Sequence, residues 1–133
     1  MIITMYTDGG ARGNPGPAGT GMVLLDADGK TLWEMGEYIG ETTNNQAEYR
    51  ALITALKKAK ELGATEVSCF LDSELLVKQL KQEYRVRNAA LAPLFVAAWN
   101  LARGFSAARF THIPREKNKR ADALVNAAID KRA

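Results

Sequence analysis

At 133 residues, 47% hydrophobic and 25% charged, the chain has the size and composition of a single folded domain over residues 1–133, with a core that needs no disulfide. No apolar run approaches the roughly 20 residues of a membrane span, and the start lacks a charged stretch followed by an apolar signal core, so the expectation is a cytoplasmic protein with no membrane partner. The one cysteine, Cys69, sits in the apolar run Val67 to Leu71 and reads as a buried small hydrophobe.

Ile2, Ile3, Met5 and Tyr6 form a strand that reaches Asp8, after which the glycines and prolines from Gly9 to Gly19 predict a turn-rich loop. Asp8 thus stands where the strand yields to a loop that a ligand can approach closely, although aspartate also opens turns. Gly21 to Asp26 and Thr31 to Ile39 read as two strands of a hairpin closed by Asp28-Gly29, giving three antiparallel strands. Thr42, Thr43 and Asn44 offer caps for a helix that runs to Leu62 and stops at Gly63. Glu48 lies one turn before Leu52 on the stripe of Leu52, Ala55, Leu56, Ala59 and Leu62. An acid on that inward face has two explanations, the positive helix N-terminus or a bound cation.

Glu66 to Leu71 reads as a strand buried on both faces and ends in Asp72, repeating the first strand's pattern. As the parallel neighbour of the first strand, it puts Asp8 and Asp72 at one end of the sheet, where open α/β sheets bind ligands. A helix from about Glu74 to Gln82 follows, then a short basic connection to Ala90. A further helix carries Pro93 in its first turn and has Gly104 after its last. Ala107 to Ile113 reads as the fifth strand, and from about Lys117 a final helix turns Ala121, Leu124, Val125, Ala128 and Ile129 inward with Asp122 at the border. The expected fold is α/β: a five-stranded mixed sheet, three antiparallel strands and two parallel additions, flanked by helices.

Four acids occupy special points, Asp8 and Asp72 at strand ends and Glu48 and Asp122 at helix faces. Gathered together they would repel one another unless cations lay between them. Hard oxygen ligands suit Mg²⁺ or Mn²⁺, and no His/Cys spacing suggests zinc. The net charge is +3. With those four acids set aside, 11 Asp and Glu would face 18 Lys and Arg, which suits a polyanion such as nucleic acid, though a solvated basic surface has the same composition.

The blocks Tyr6-Thr7-Asp8-Gly9-Gly10, Gly13-Asn14-Pro15-Gly16-Pro17, Thr43-Asn44-Asn45-Gln46-Ala47-Glu48, Leu71-Asp72-Ser73 and Asn118-Lys119-Arg120-Ala121-Asp122 resemble, in order and spacing, the signatures of type 1 ribonuclease H. The resemblance runs from Ile2 to about Ala128 and implies an RNase H-like fold. It also implies an endoribonuclease that cuts the RNA strand of RNA–DNA hybrids with two Mg²⁺ ions per site, Mn²⁺ substituting, to leave 5′-phosphate and 3′-hydroxyl ends. Asp8, Glu48, Asp72 and Asp122 would be catalytic and metal-holding. Gly9, Arg12, Asn14, Thr43, Asn44, Asn45 and Ser73 would meet the hybrid, the amide side chains suiting 2′-hydroxyls because they both donate and accept. Turn formation and helix capping remain open for Asn14, Thr43 and Asn44.

The resemblance has departures. His112 precedes Asp122 by ten residues, as a catalytic-loop histidine would, yet lies before Pro114 in the fifth strand, so either His112 or Arg115 would assist turnover. Glu74 stands where many relatives have glutamine. Glu83 to Ala90 is too short for the basic protrusion of some relatives, implying weaker, more salt-sensitive binding. The expectation is a monomer without an obligatory protein partner. Cleavage at RNA–DNA junctions or of double-stranded RNA, or a non-catalytic hybrid-binding module, are the alternatives.

Overall fold

A computed structural model describes residues 1–132. Strands β1 (Ile2–Ala11), β2 (Gly16–Leu25) and β3 (Thr31–Thr42) are followed by helix α1 (Asn44–Glu61), strand β4 (Glu66–Leu71), helices α2 (Glu74–Leu80) and α3 (Ala92–Ala102), strand β5 (Ala107–His112) and helix α4 (Lys119–Lys131). The sheet order is β3-β2-β1-β4-β5. β1–β2 and β2–β3 are antiparallel, while β1–β4 and β4–β5 are parallel. The mixed five-stranded sheet expected from the sequence is therefore the fold.

Two expectations need correction. The glycines after Asp8 do not end the first strand, because Gly9, Gly10 and Ala11 keep pairing with Thr20, Gly19 and Ala18. The turn is confined to the residues after Ala11, closed by Arg12 N–H donating to Pro17 O at 2.8 Å. Asp8 consequently lies inside β1, at the point where pairing with β4 stops at Thr7–Leu71. Strand β4 is also buried on one face only. Val67, Cys69 and Leu71 are buried, whereas Glu66, Ser68 and Phe70 are half-buried. The reason is the uneven cover of the two faces.

On one face, Ile3 and Met5 of β1, Met22 and Leu24 of β2, and Val67, Cys69 and Leu71 of β4 share a core with Leu52, Ala55, Leu56 and Ala59 of α1 and with buried residues of α2 and α3. A side chain pair, Tyr49 Oη donating to Gln79 Oε1, ties α1 to α2 within it. The other face receives α4, which packs on β2, β3 and β1 through Ala121, Val125 and Ile129. This helix starts at Lys119, two residues later than the pattern predicts, after a short 3₁₀ turn at Arg115–Lys117. Beyond its reach Tyr6 and Phe70 stack on each other with centroids 5.2 Å apart. Among the described residues no helix is long and apolar enough to cross a membrane.

The seat of α4 explains a glycine in β2 that strand propensity disfavours. A Cβ at Gly21 would lie 2.2 Å from Ala121 O, so only a bare backbone lets the helix sit at this distance. We predict that Gly21→Ala lowers the stability to unfolding by about 2–3 kcal/mol through forced displacement of the helix. A Cβ at Gly10 would meet nothing nearer than Val125 Cγ1 at 3.7 Å, so Gly10→Ala should change stability by less than about 0.5 kcal/mol. Denaturant unfolding of the two variants checks this, and equal losses would contradict the tight seat at β2.

Candidate active site

Asp8 and Asp72 meet because β1 and β4 run parallel in a register that sets Thr7 beside Leu71, leaving the two aspartates next along each strand. Glu48 is brought to them by the first turns of α1. Thr43 caps that helix, its Oγ1 accepting from Gln46 N–H at 3.3 Å while Gln46 Oε1 accepts from Thr43 N–H at 3.2 Å. The helix then lies so close to β1 that a Cβ at Gly9 would fall 2.3 Å from the carbonyl carbon of Ala47. In that contact Gly9 N–H donates to Glu48 Oε1 at 3.1 Å.

One carboxylate oxygen from each of Asp8, Glu48 and Asp72 lies within 4.8 Å of the other two. Asp8 and Glu48 are buried, at 7% exposure each. Burial is the main force holding the Asp8 carboxyl up, to about 7, with the charges of Asp72 and Asp122 adding to it. Glu48 is raised well above the ordinary carboxylate range, first by burial and then by the charge of Asp8. Its Oε2 is buried without a hydrogen-bond partner among the described residues. A buried acid with an orphaned oxygen beside two more carboxylates suits a hard divalent cation, which supplies the missing partner and offsets the repulsion.

Asp122 stands outside that group of three but lines the same cleft, near enough for its charge to act on Asp8. Arg115 Nη2 approaches Asp122 Oδ1 at 3.6 Å from a side chain that is 80% exposed. The cleft, about 460 Å³, is lined by Gly9, Arg12, Asn44, Asn45, Ser73, Arg115 and Asn126 as well as the four acids. A second hollow of about 180 Å³ adjoins it at Asn45 and is lined by Asn14, Thr43, Gln46 and Asn88. Every residue expected to meet a nucleic acid therefore lies on one of the two hollows.

Several of these residues have structural duties too. Asn14 Oδ1 accepts from Asn44 N–H at 3.1 Å, and Asn44 Oδ1 accepts from Ala11 N–H at 2.7 Å, fastening the β1–β2 turn to the start of α1. These bonds use the carbonyl ends and leave the NH₂ ends to donate elsewhere. Ser73 caps α2 by accepting from Leu76 N–H at 3.3 Å. Arg12 Nη1 donates to Asp130 Oδ1 at 2.6 Å. His112 is exposed at the end of β5 and is not among the residues lining the cleft. Glu74 pairs with Lys78 at 3.2 Å.

Sequence reasoning gave no role to Asn88, Asn118 or Asn126, although Asn118 opens the block that ends in Asp122. Asn118 is 1% exposed, and its Nδ2 donates to Thr7 O at 2.9 Å and to Asp72 Oδ2 at 3.2 Å, so it holds one carboxylate from behind. Its place before α4 looks like a cap, yet its side chain makes no cap bond. Asn88 lies in a connection with no periodicity, and nothing local marks it.

Comparison with known proteins gives the geometry its context. A reverse transcriptase-like family profile matches residues 6–128. The chain is 46% identical over 128 residues to a protein of Halobacterium salinarum named ribonuclease HI, covering 96% of this chain and 64% of that protein. It is 45% identical over 131 residues to a bifunctional protein of Mycobacterium tuberculosis, covering 98% of this chain but only 36% of that one. The chain thus spans about a third to two thirds of the length of these relatives. Among solved structures it resembles the Halobacterium salinarum RNase H1 with a TM-score of 0.95 at 44% identity, over 98% of this chain and 99% of that one. The compost-derived LC11-RNase H1, solved with an RNA/DNA hybrid, matches with a TM-score of 0.92 at 51% identity, over 97% of each chain. With a profile match through most of its length and two solved RNase H1 structures sharing its fold at 44% and 51% identity, the chain belongs to the type 1 ribonuclease H family.

Proposed function

We propose that this chain is a divalent-metal-dependent endoribonuclease that hydrolyses the RNA strand of RNA–DNA hybrids, leaving 5′-phosphate and 3′-hydroxyl ends. The observation that carries the reading is the convergence of Asp8, Glu48 and Asp72 within 4.8 Å, with Glu48 Oε2 unsatisfied. The hybrid seen with the 51% identical LC11-RNase H1 supports the substrate class. A module that only bound nucleic acid would gain nothing from buried acids that repel phosphate.

Asp8, Glu48, Asp72 and Asp122 would hold two Mg²⁺ ions, or Mn²⁺ in their place. When bound, the pair supplies activation of the attacking water and neutralises charge on the leaving 3′-oxygen. The protein's own part is to hold the carboxylates in place, Glu48 through Gly9 N–H and Asp72 through Asn118. The NH₂ ends of Asn14 and Asn44, with Asn45 between the two hollows, are suited to donate to RNA 2′-hydroxyls and base edges. Thr43 is suited to a DNA phosphate. Arg115, at the cleft wall, is better placed to help product leave than His112, which is not among the cleft's lining residues. We further propose that the chain acts as one domain and as a monomer in the cytoplasm.

The direct test is cleavage of a labelled hybrid with Mg²⁺ or Mn²⁺, beside single-stranded RNA, double-stranded RNA and a junction substrate. Hybrid cleavage should vanish with chelator and fall at least about 10³-fold in Asp8→Asn, as expected when a metal-holding group is lost. Activity that survives either treatment would remove the metal mechanism. Preference for the junction or double-stranded RNA would replace the hybrid as substrate.

A stability measurement probes the same group without turnover. The folded pKa of Asp8, about 7 against 3.8, means that the native state holds a proton the unfolded chain releases. Between those values stability therefore falls as pH rises, and the full penalty persists above them. In chelator, Asp8→Asn should be more stable than the parent at pH 7.5, by up to about 4 kcal/mol, and the gain should fade towards pH 4. Thermal melts across pH decide it, and a variant that is less stable at pH 7.5 would contradict the repulsion.

A further inference from the structure

Asn126 is an exposed residue in the middle of α4, where asparagine is a poorer helix former than alanine. It lies one turn after Asp122, and its Nδ2 donates to Asp122 O at 3.1 Å and to Asp122 Oδ2 at 3.4 Å. An asparagine amide has two orientations related by a half turn, and only one presents N–H to a carboxylate. The Asp122 carbonyl one turn back favours that orientation from within the helix, and a contact from outside the helix reinforces it. Arg12 Nη2, at the turn after β1, lies 3.3 Å from Asn126 Oδ1 and 3.4 Å from Asn126 O. A guanidinium has no acceptor, so it can face only the carbonyl end of the amide, which turns the NH₂ end towards Asp122. Arg12 is itself fixed by Asp130 at 2.6 Å.

We propose that Arg12 and Asn126 are positioning residues, a relay that presets the Asp122 carboxylate for metal. The inference rests on the proposed metal-dependent reading of the cleft. It also gives Arg12 a duty other than the substrate contact expected from its place in the sequence. Among the described residues the Asp122 carboxylate otherwise has Arg115, 3.6 Å away and largely exposed, and the neighbouring Asp8, so the relay is what orients it from the α4 side. Arg12 thus joins the hairpin turn to α4 at Asn126 and Asp130, and the Asn126 amide carries that link on to Asp122, so a change at residue 12 is felt at residue 122 without contact between the two.

The test measures Mn²⁺ binding by calorimetry and hybrid cleavage across Mn²⁺ concentrations in the parent, Asn126→Leu, Arg12→Met, the double variant and Asp122→Asn. Both relay positions are exposed, and melts verify that the variants are folded. Asn126→Leu and Arg12→Met should each weaken Mn²⁺ binding about 10-fold, as losses of groups that orient a ligand do. Cleavage should recover at high Mn²⁺ in both, and in Asn126→Leu KM for the hybrid should stay within about twofold of the parent. The double variant should bind no more weakly than the weaker single one, because both changes break one chain of bonds. Unchanged Mn²⁺ binding in Asn126→Leu, with a loss in Asp122→Asn, overturns the relay and leaves the reading of the cleft intact. A raised KM with unchanged metal binding in Arg12→Met, or additive losses in the double variant, overturns it as well. If Asp122→Asn itself alters neither binding nor cleavage, the role of Asp122 falls first and the relay with it.

Discussion

The arrangement depends on how near α1 can come to β1. At Gly9 the separation leaves no room for a Cβ, and the backbone N–H that would otherwise be crowded there donates to Glu48 instead. A helix set back by the width of a methyl group would lengthen that bond and withdraw Glu48 from Asp8 and Asp72. One missing side chain therefore fixes both the packing of the largest helix and the spacing of the three carboxylates. Packing and chemistry share one contact, which is why the site can hold buried acids that destabilise each other when no cation is present.

Much of this was legible in the sequence because it follows from local rules. Apolar strand runs that lead into Asp8 and Asp72 with a crossover between them, and an acid one turn ahead of an apolar stripe, place three of the four acids without coordinates. The run through Gly9, Gly10 and Ala11 was not legible. Glycine is a poor strand residue by propensity, and its selection here answers to a helix distant in the chain. The second face of β4 was misjudged for a related reason. An apolar hexamer such as Glu66 to Leu71 does not reveal whether anything covers it, and α4 is seated over β1, β2 and β3 rather than over β4.

The asparagines divide in the same way. Those beside Glu48 are marked by their place at a helix start, where a cap is expected anyway, and the structure gives Asn44 both a fastening bond and a place on the cleft. Asn118 imitates a cap and instead reaches Thr7 and Asp72, more than forty residues away in sequence. Asn126 looks like solvated surface until Arg12 is placed against it. Residues that act by orienting another group carry no signature of their own, since their meaning lies in a neighbour that the chain order hides.

Asp122 differs from the other three acids in what holds it. Asp8, Glu48 and Asp72 hang on the sheet and on the helix buried deepest against it, whereas Asp122 rides on α4, whose backbone rests on bare strand backbone at Gly21. Ala121, Val125 and Ile129 bury that helix against the sheet, so the place of Asp122 answers to the fit of α4 on the strands rather than to the α1–β1 contact that sets Glu48. A shift in how that helix is seated would move the fourth acid while leaving the other three where they are.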